Sequence, residues 1–358
     1  MADPQLRTVL TVGELRAAAE RLSLPAVAVA PALVEPALRL LSDGAGAAVL
    51  LRRQWAGDGT AEAVVLHRAG VPLEHPAVVA TAAAWGCDQI CHATTGRSVA
   101  VPGPRADAPL ADRFRHLAAR AATRVEIAVA LARDSALERA TDDGSRVVVA
   151  DAAAHAAAVE VLAPLGVPVL SEECPDPVVA EGQPWIVLDP LDGTGNFSAG
   201  LPPWAFSAAL VSGGRPVAGL VADLSSGRRW EGAEGAGSRR DGVPVAPRAG
   251  STVVVPSAPG GGTVAVPGTA RRVRITGCTA IDLCLVADGS AAAWHDVDRS
   301  GSHVHDVAGG LAVLLAAGGA ALAADGEPLV LSRDSGARVR FVAAPGARAA
   351  RDLLAALG

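Results

Sequence analysis

Residues 185–197 read WIVLDPLDGTGNF. An apolar run, Ile186, Val187 and Leu188, stops at two aspartates three positions apart, Asp189 and Asp192, followed by Gly193, Thr194 and Asn196. Carboxylates crowded at the tip of a buried strand repel one another and resist ionising unless a cation neutralises them. Oxygen-only ligation suits Mg²⁺ or a similar hard ion, not zinc. In this arrangement Asp189 and Asp192 point into one pocket and share a metal, and a carbonyl of the intervening turn, such as that of Leu191, completes the shell. Gly193 lets the backbone turn sharply and leaves N–H groups for an anion. Thr194 brings a hydroxyl able to orient or deprotonate a water. Other acids also end apolar runs: Glu172 with Glu173, Asp296 with Asp298, and Asp306. Any one of them is explained by a helix cap or a solvated turn; the set together is not.

These groups need strands and helices to hold them. A long amphipathic helix is expected over 110–139, with Leu110, Phe114, Leu117, Ala121, Val125 and Ala128 at helical spacing. The stretch TDDGS (141–145) reads as a turn, RVVVAD as a short strand, and Asp151 as the cap of the helix that follows. VPVLSEEC reads as a strand ending in the glutamate pair, and 205–245 as strands joined by glycine turns. Residues 307–324 read as a buried helix, and a last helix covers 347–357. Upstream, VPGPRADAP (101–109) has three prolines and no periodicity, marking a linker. Before it, a capping-box pattern at Thr11 and Glu14, apolar runs at 26–30 and 47–51 suited to doubly covered parallel strands, and a helix ended by Gly86 suggest a βα repeat.

Composition removes several function classes. The net charge of −6 disfavours binding to a nucleic-acid polymer. All 31 basic residues are arginine, so no Schiff-base chemistry is available, and Asn196 is the only asparagine. Lysine, tyrosine and asparagine all use AT-rich codons, and a GC-rich genome explains their scarcity; the asparagine that survives lies inside the quoted stretch. The N-terminus lacks a basic start followed by an apolar segment, and the apolar stretches are interrupted by glycine pairs, so neither a signal peptide nor a membrane span is expected. Five scattered cysteines, with Cys87 and Cys91 spaced C-x3-C and no second pair, fit buried thiols in a reducing cytoplasm better than a zinc site.

DPLDGTGNF resembles the D-P-[IL]-D-G-T-x-N-F signature of the inositol monophosphatase family, metal-dependent, lithium-sensitive phosphomonoesterases. SEEC resembles that family's glutamate pair. RITGCTAIDLCLVADG resembles its R-x-x-G-[ST]-A-A segment, and HDVAGGLAVLLAAGG its W-D-x-A-A-G…E-A-G-G segment. The likeness covers about 110–358 and implies a layered α-β-α-β-α sandwich of the α+β class. Two phosphatase subdomains are expected, at 105–248 and 249–358. The resemblance implies that Glu172 and Asp189 bind a first metal with the Leu191 carbonyl. Asp189, Asp192 and Asp306 then bind a second, and Glu173 sits beside a third, weaker site. Gly193 and Thr194 hold the phosphate, while Gly277, Cys278, Thr279 and Asp296 touch the alcohol side of the substrate. Thr194, Asp192 and Glu172 form the expected catalytic set. Two or three Mg²⁺ ions, a small phosphorylated substrate and a homodimer are implied. Such ions supply an acidified water and stabilise the leaving alkoxide.

The chain departs from the family in three places. The family's D-x-V-T-x-x-D, whose first aspartate works with the signature threonine as a base dyad, is DDGSRVVVAD here. Asp151 matches the last position, Ser145 falls where the dyad aspartate belongs, Val147 or Val148 falls at the threonine, and Asp142 or Asp143 substitutes only if the loop is re-registered. His305 replaces the tryptophan before the last metal aspartate, either as a packing replacement or as a polar contact to substrate. A short insertion, DRSGSH, brings Arg299 and His303 near the pocket mouth, where an arginine reads a second anionic group or faces solvent. A catalytically silent binding or scaffold homologue is the alternative function. LPAVAVAPALVEPALRLLSDGAGAAVLL and the later VVATAAAWGCDQICHATTG resemble the V-x-V-x-P strand with its helix and the G-A-D-E-I-D strand in the first half of a deoxyribose-phosphate aldolase; the likeness covers about 8–100, too short for a barrel of typically ~250 residues and without the required lysine. A small α/β, partly barrel-like, non-catalytic domain over 1–104 is therefore expected.

Overall fold

The computed structural model describes residues 7–8, 38–42, 46–55, 60–133, 138–140, 146–174, 177–256, 266–268, 270–297 and 300–357. The capping box at Thr11 and Glu14, the run at 26–30, the turn at 141–145, Asp298 and Arg299 lie outside them. The chain divides into two compact units, Met1–Ala108 with Asp241–Val243, and Pro109–Arg240 with Pro244–Gly358.

The first unit carries a six-stranded sheet in chain order: β1 (Arg7–Thr8), β2 (Leu38–Ser42), β3 (Ala48–Trp55), β4 (Ala61–Ala69), β5 (Gln89–His92) and β6 (Ser98–Ala100). One helix, α1 (Pro76–Ala84), joins β4 to β5; His75 Nδ1 accepts from the Ala77 N–H at its start, and Gly86 follows its end at φ 67°. The run at 47–51 is covered on both faces, with Leu50 and Leu51 1% and 0% exposed. Its expected parallel pairing is corrected, because β3 runs antiparallel to both β2 and β4. Apolar content reports burial, not direction. The connections on either side of β3 are too short for a crossover, so they close hairpins. Only β4 and β5, with α1 between them, run parallel. The parallel βα repeat of a partial barrel is thus replaced, among the described residues, by a meander with one crossover.

The second unit opens with α2 (Leu110–Arg133), shorter than the expected helix to 139. The pattern beyond Arg133 continues the helical spacing, but Glu138–Ala140 (β7) finds ladder partners in Arg146–Val148 (β8) instead. Next come α3 (Val149–Leu162), β9 (Val169–Ser171), β10 (Trp185–Asp192) and the short α4 (Thr194–Ala199). A meander follows: β11 (Ala205–Ser212), β12 (Arg215–Asp223), β13 (Arg229–Ala233), β14 (Gly237–Arg240) and β15 (Val243–Val245). These strands form a seven-stranded sheet ordered β15-β14-β13-β12-β11-β10-β9. A five-stranded sheet takes β17 (Arg272–Arg274), β16 (Thr252–Val254), β18 (Ala293–His295), β22 (Phe341–Ala344) and β20 (Ala320–Ala323) in that order. Between the sheets run α5 (Thr279–Ala287) and α6 (Val304–Ala316). A small ribbon pairs β19 (Ser302–His303) with β21 (Arg338–Val339), and α7 (Ala347–Leu357) closes the chain.

Strand alternation fixes the layers. From β10, Ile186 and Leu188 pack with Phe114, Val125, Ala154 and Leu162 of α2 and α3. Trp185 and Val187 pack instead with Leu283 of α5 and with Val307 and Leu311 of α6. The five-stranded sheet offers Val254, Trp294 and Phe341 to α5 and α6, and Val253, Val342 and Ala344 to α7. The order is therefore α2/α3, sheet, α5/α6, sheet, α7, the expected α-β-α-β-α sandwich. By the same alternation Asp189 falls on the α5/α6 side, toward the helix that carries Asp306.

Helix α6 lies unusually close to the first sheet. A Cβ on Gly219 of β12 would stand 2.5 Å from the Ala312 Cβ and 2.8 Å from the Gly309 carbonyl, and one on Gly309 would collide with Ser207 Oγ. Gly309 stands where the family pattern has alanine, and the close seat is its physical reason. We expect Gly219→Ala to cost about 1–3 kcal/mol, typical of overpacking. Urea melts of the two proteins check this, and an unchanged midpoint would show that α6 shifts at no cost.

Candidate metal and active site

Strand β10 keeps its antiparallel register with β11 through Asp189↔Ser207, then shifts, and pairs again at Asp192↔Ala205. The irregularity turns two carboxylates of one strand toward a common point. There they meet Asp306, in the first turn of α6; one ligand atom from each of Asp189, Asp192 and Asp306 lies within 4.8 Å of the others. Asp189 and Asp192 are 2% and 8% exposed. The protein spends backbone donors on them. Leu191 N–H donates to Asp189 Oδ1 (3.1 Å), Ala280 N–H donates to Asp192 Oδ2 (2.7 Å), and His303 N–H donates to Asp306 Oδ2 (3.2 Å). The Cys278 thiol also donates to Asp192 Oδ2, at 3.1 Å.

Burial and mutual repulsion nevertheless dominate. Burial, then the charges of Asp192, Asp306 and Glu172, hold Asp189 well above the ordinary carboxylate range. Burial and Asp306 push Asp192 up to about 7, against the relief from the Ala280 N–H and the Cys278 thiol. Burial also raises Asp306, opposed by His303 and Arg338. Three acids so placed, and oxygen donors throughout, fit a divalent cation.

Glu172 and Glu173 follow β9. The Glu172 side chain is 53% exposed and stands outside the tight group of three; its Oε2 lies 3.7 Å from His305 Nε2. Glu173 is half-buried and raised by burial and by Glu172. Behind the pair, His155 of α3 brackets their loop, with Nδ1 3.1 Å from Ser171 Oγ and Nε2 3.0 Å from Cys174 Sγ.

The hydroxyl of Thr194 lies 3.2 Å from Asp151 Oδ1 and 3.0 Å from the Leu191 carbonyl, so its single proton has two acceptors. Asp151 is not the expected helix cap: it lies inside the first turn of α3, with its carboxylate turned to Thr194. Its matching position at the end of the altered family pattern is the sequence signal for this role, but the contact spans 43 residues and no local pattern reports it. Ser145, Asp142 and Asp143 lie outside the described residues, and the side chains of Val147 and Val148 are not described.

Gly193 precedes α4 at φ 87°, a left-handed conformation that glycine adopts without strain. Asn196 Nδ2 donates to the carbonyls of Pro203 and Thr276, both at 2.8 Å, clipping the signature to the 276–278 turn. Gly277, Cys278 and Thr279 form that turn and the start of α5, but the Cys278 thiol faces Asp192. Asp296 is 1% exposed and both its oxygens are engaged, by Phe341 N–H (2.9 Å) and Ser302 Oγ (2.8 Å). Burial raises it to about 6 against those bonds. It is better placed to join the 302 loop to β22 than to meet a substrate.

The model of the inositol monophosphatase family matches residues 110–357. The chain belongs to the inositol monophosphatase family. A fructose-1,6-bisphosphatase/inositol-1-monophosphatase of Thermococcus kodakarensis is 35% identical over 162 residues, 44% of this chain and 62% of that relative. One of the same name from Archaeoglobus fulgidus is 30% identical over 233 residues, 61% of this chain and 89% of the relative. These are names of phosphoric monoester hydrolases. Among solved structures, an extragenic suppressor from Pyrococcus furiosus is similar with a TM-score of 0.56 at 25% identity, covering 68% of this chain and 97% of that one. An inositol monophosphatase from Anabaena gives 0.54 at 24%, covering 67% and 94%. Among the described residues no helix is long and apolar enough to cross a membrane.

The acids make a prediction without any substrate. Asp192 has a native value of about 7 against an ordinary 3.8, so between these values the native chain holds more protons than the unfolded one. Its stability therefore falls as pH rises through that window. Metal-free protein is expected to melt at a lower temperature at pH 8 than at pH 5. Asp192→Asn should flatten the difference, and millimolar Mg²⁺ should raise the pH 8 value. Calorimetric scans decide it; equal melting at both pH values would contradict the crowding of charge.

Proposed function

We propose that this chain hydrolyses a phosphate monoester of a small polyol, sugar or nucleoside in a Mg²⁺-dependent reaction. The observation that carries the reading is the meeting of Asp189, Asp192 and Asp306, from a strand tip and a distant helix, within 4.8 Å. In this reading those three, with the Leu191 carbonyl and Glu172 turning in from its exposed loop, hold the divalent ions. Bound ions would supply an acidified water and neutralise charge on the leaving oxygen. Gly193 and Thr194 lie on the phosphate side, and Gly277 with Thr279 on the alcohol side. Cys278 and Asp296 act through other groups: one steadies Asp192, the other the 302 loop.

Thr194 and Asp151 form the base dyad. With its proton directed to Asp151, the Thr194 oxygen presents a lone pair to the attacking water, and a proton leaving that water passes through Thr194 toward the aspartate. The 3.2 Å contact supports an enzyme over a silent homologue, because it supplies the carboxylate that the altered flap sequence lacks at Ser145.

Released phosphate, measured over a panel of monoesters with and without Mg²⁺, tests the reading. Asp189→Asn is expected to abolish the metal-dependent release. Asp151→Asn is expected to lower kcat by about 10²–10⁴-fold, the usual worth of a positioned base, with Mg²⁺ affinity unchanged by calorimetry. Metal binding with no release from any ester would establish the silent binding homologue instead.

A further inference from the structure

The two glutamates are presented by a turn, and both ends of that turn are tied to one ring. The Cys174 N–H donates to the Ser171 carbonyl at 3.4 Å, closing a turn with Glu172 and Glu173 at its central positions. The Glu173 N–H also donates to Ser171 Oγ, at 3.4 Å. Ser171, at the end of β9, is fully buried, whereas the Glu172 side chain is 53% exposed. A long carboxylate on an exposed turn has backbone and rotamer freedom to lose before it can hold an ion. His155 of α3 supplies part of that order from behind. Its Nδ1 stands 3.1 Å from Ser171 Oγ and its Nε2 3.0 Å from Cys174 Sγ, so the ring bridges the first and last residues of the turn. Burial lowers the His155 pKa, and a neutral imidazole has the one donor and one acceptor that such a bridge takes. His155 also follows Asp151 by one helical turn, on the same face of α3. Successive turns of one helix thus meet Thr194 and the glutamate turn.

We propose that His155 is a positioning residue: by bracing both ends of the 171–174 turn it holds Glu172 beside Asp189, Asp192 and Asp306 and sets the affinity for the divalent ion. The inference rests on the ion-binding role proposed above for these acids. His155 touches neither ion nor substrate and acts only through the turn. The Glu172 charge already reaches Asp189 and Asp192 and raises both. With the root of Glu172 ordered from α3, ion binding does not have to supply that ordering, and affinity rises by the cost avoided.

Titration calorimetry of Mg²⁺ on the full chain tests this without any substrate. His155→Phe keeps a ring and removes both nitrogens, and is expected to weaken Mg²⁺ binding by about 10–100-fold, the usual worth of groups that orient metal ligands. His155→Gln keeps an amide in reach of one end of the turn; it should recover part of the loss, and it replaces His155→Phe if that variant does not fold. In a Glu172→Gln background the same substitution should have little further effect, because both changes act through one side chain. Unchanged Mg²⁺ affinity, with only a lowered melting temperature of the metal-free protein, would make His155 a packing residue and overturn the proposal. A loss of affinity that persists undiminished without Glu172 overturns it equally. Either result leaves the phosphatase reading standing. A His155-dependent affinity in a protein that releases no phosphate from any ester overturns that reading and keeps this one, and a wild-type chain that binds no Mg²⁺ overturns both.

Discussion

Like charge buried together is the constraint around which this protein is organised. Asp189 and Asp192, both buried, cannot readily ionise beside the partly exposed Asp306 unless positive charge joins them. The chain relieves them only in part, with three backbone N–H groups and one thiol. Among the described residues no arginine makes an ion pair with the group, and Arg338 acts on Asp306 only through its charge; the ion pairs to Asp306 and Glu172 come from His305. The group is left with an excess of negative charge that suits a divalent cation.

The fold serves that constraint through α6. The helix contributes Asp306 and His305 at its first turn, and its body packs between two sheets in the larger hydrophobic cluster. The glycine contacts at Gly219 and Gly309 set its distance from β12 and β11, in the sheet that also carries β10 and the other two carboxylates. The position of a charged atom is thus determined by apolar packing several residues away, on elements that cannot relax independently.

The acids at 189 and 192 were legible in the sequence because they end an apolar run, and Asp306 because its segment resembles a family pattern. Strand alternation places Asp189 on the α5/α6 side, but the irregularity that turns Asp192 to the same point was not legible. The layers were legible through the same alternation. Asp151 was misread because its local setting, a polar residue before an apolar helix, is also that of a cap, and no short-range pattern reports a contact made across the fold. The direction of β3 was illegible because a doubly buried strand looks alike in parallel and antiparallel sheets; only connection length separates them. Cys278 was read as facing the substrate, whereas its thiol faces Asp192, a distinction of side-chain direction that spacing does not carry.

Asn196 clips the signature segment to the 276–278 turn, and its setting has a chemical consequence beyond geometry. Asparagine decays when the following backbone nitrogen attacks its own side-chain carbonyl. Here that nitrogen, on Phe197, is committed to the Gly193 carbonyl at 2.9 Å, while the side-chain amide is held at both of its contacts. The chain's sole asparagine is therefore locked out of the ring closure that begins deamidation, and the motif is guarded against a slow hydrolytic ageing that would set another negative charge beside the pocket.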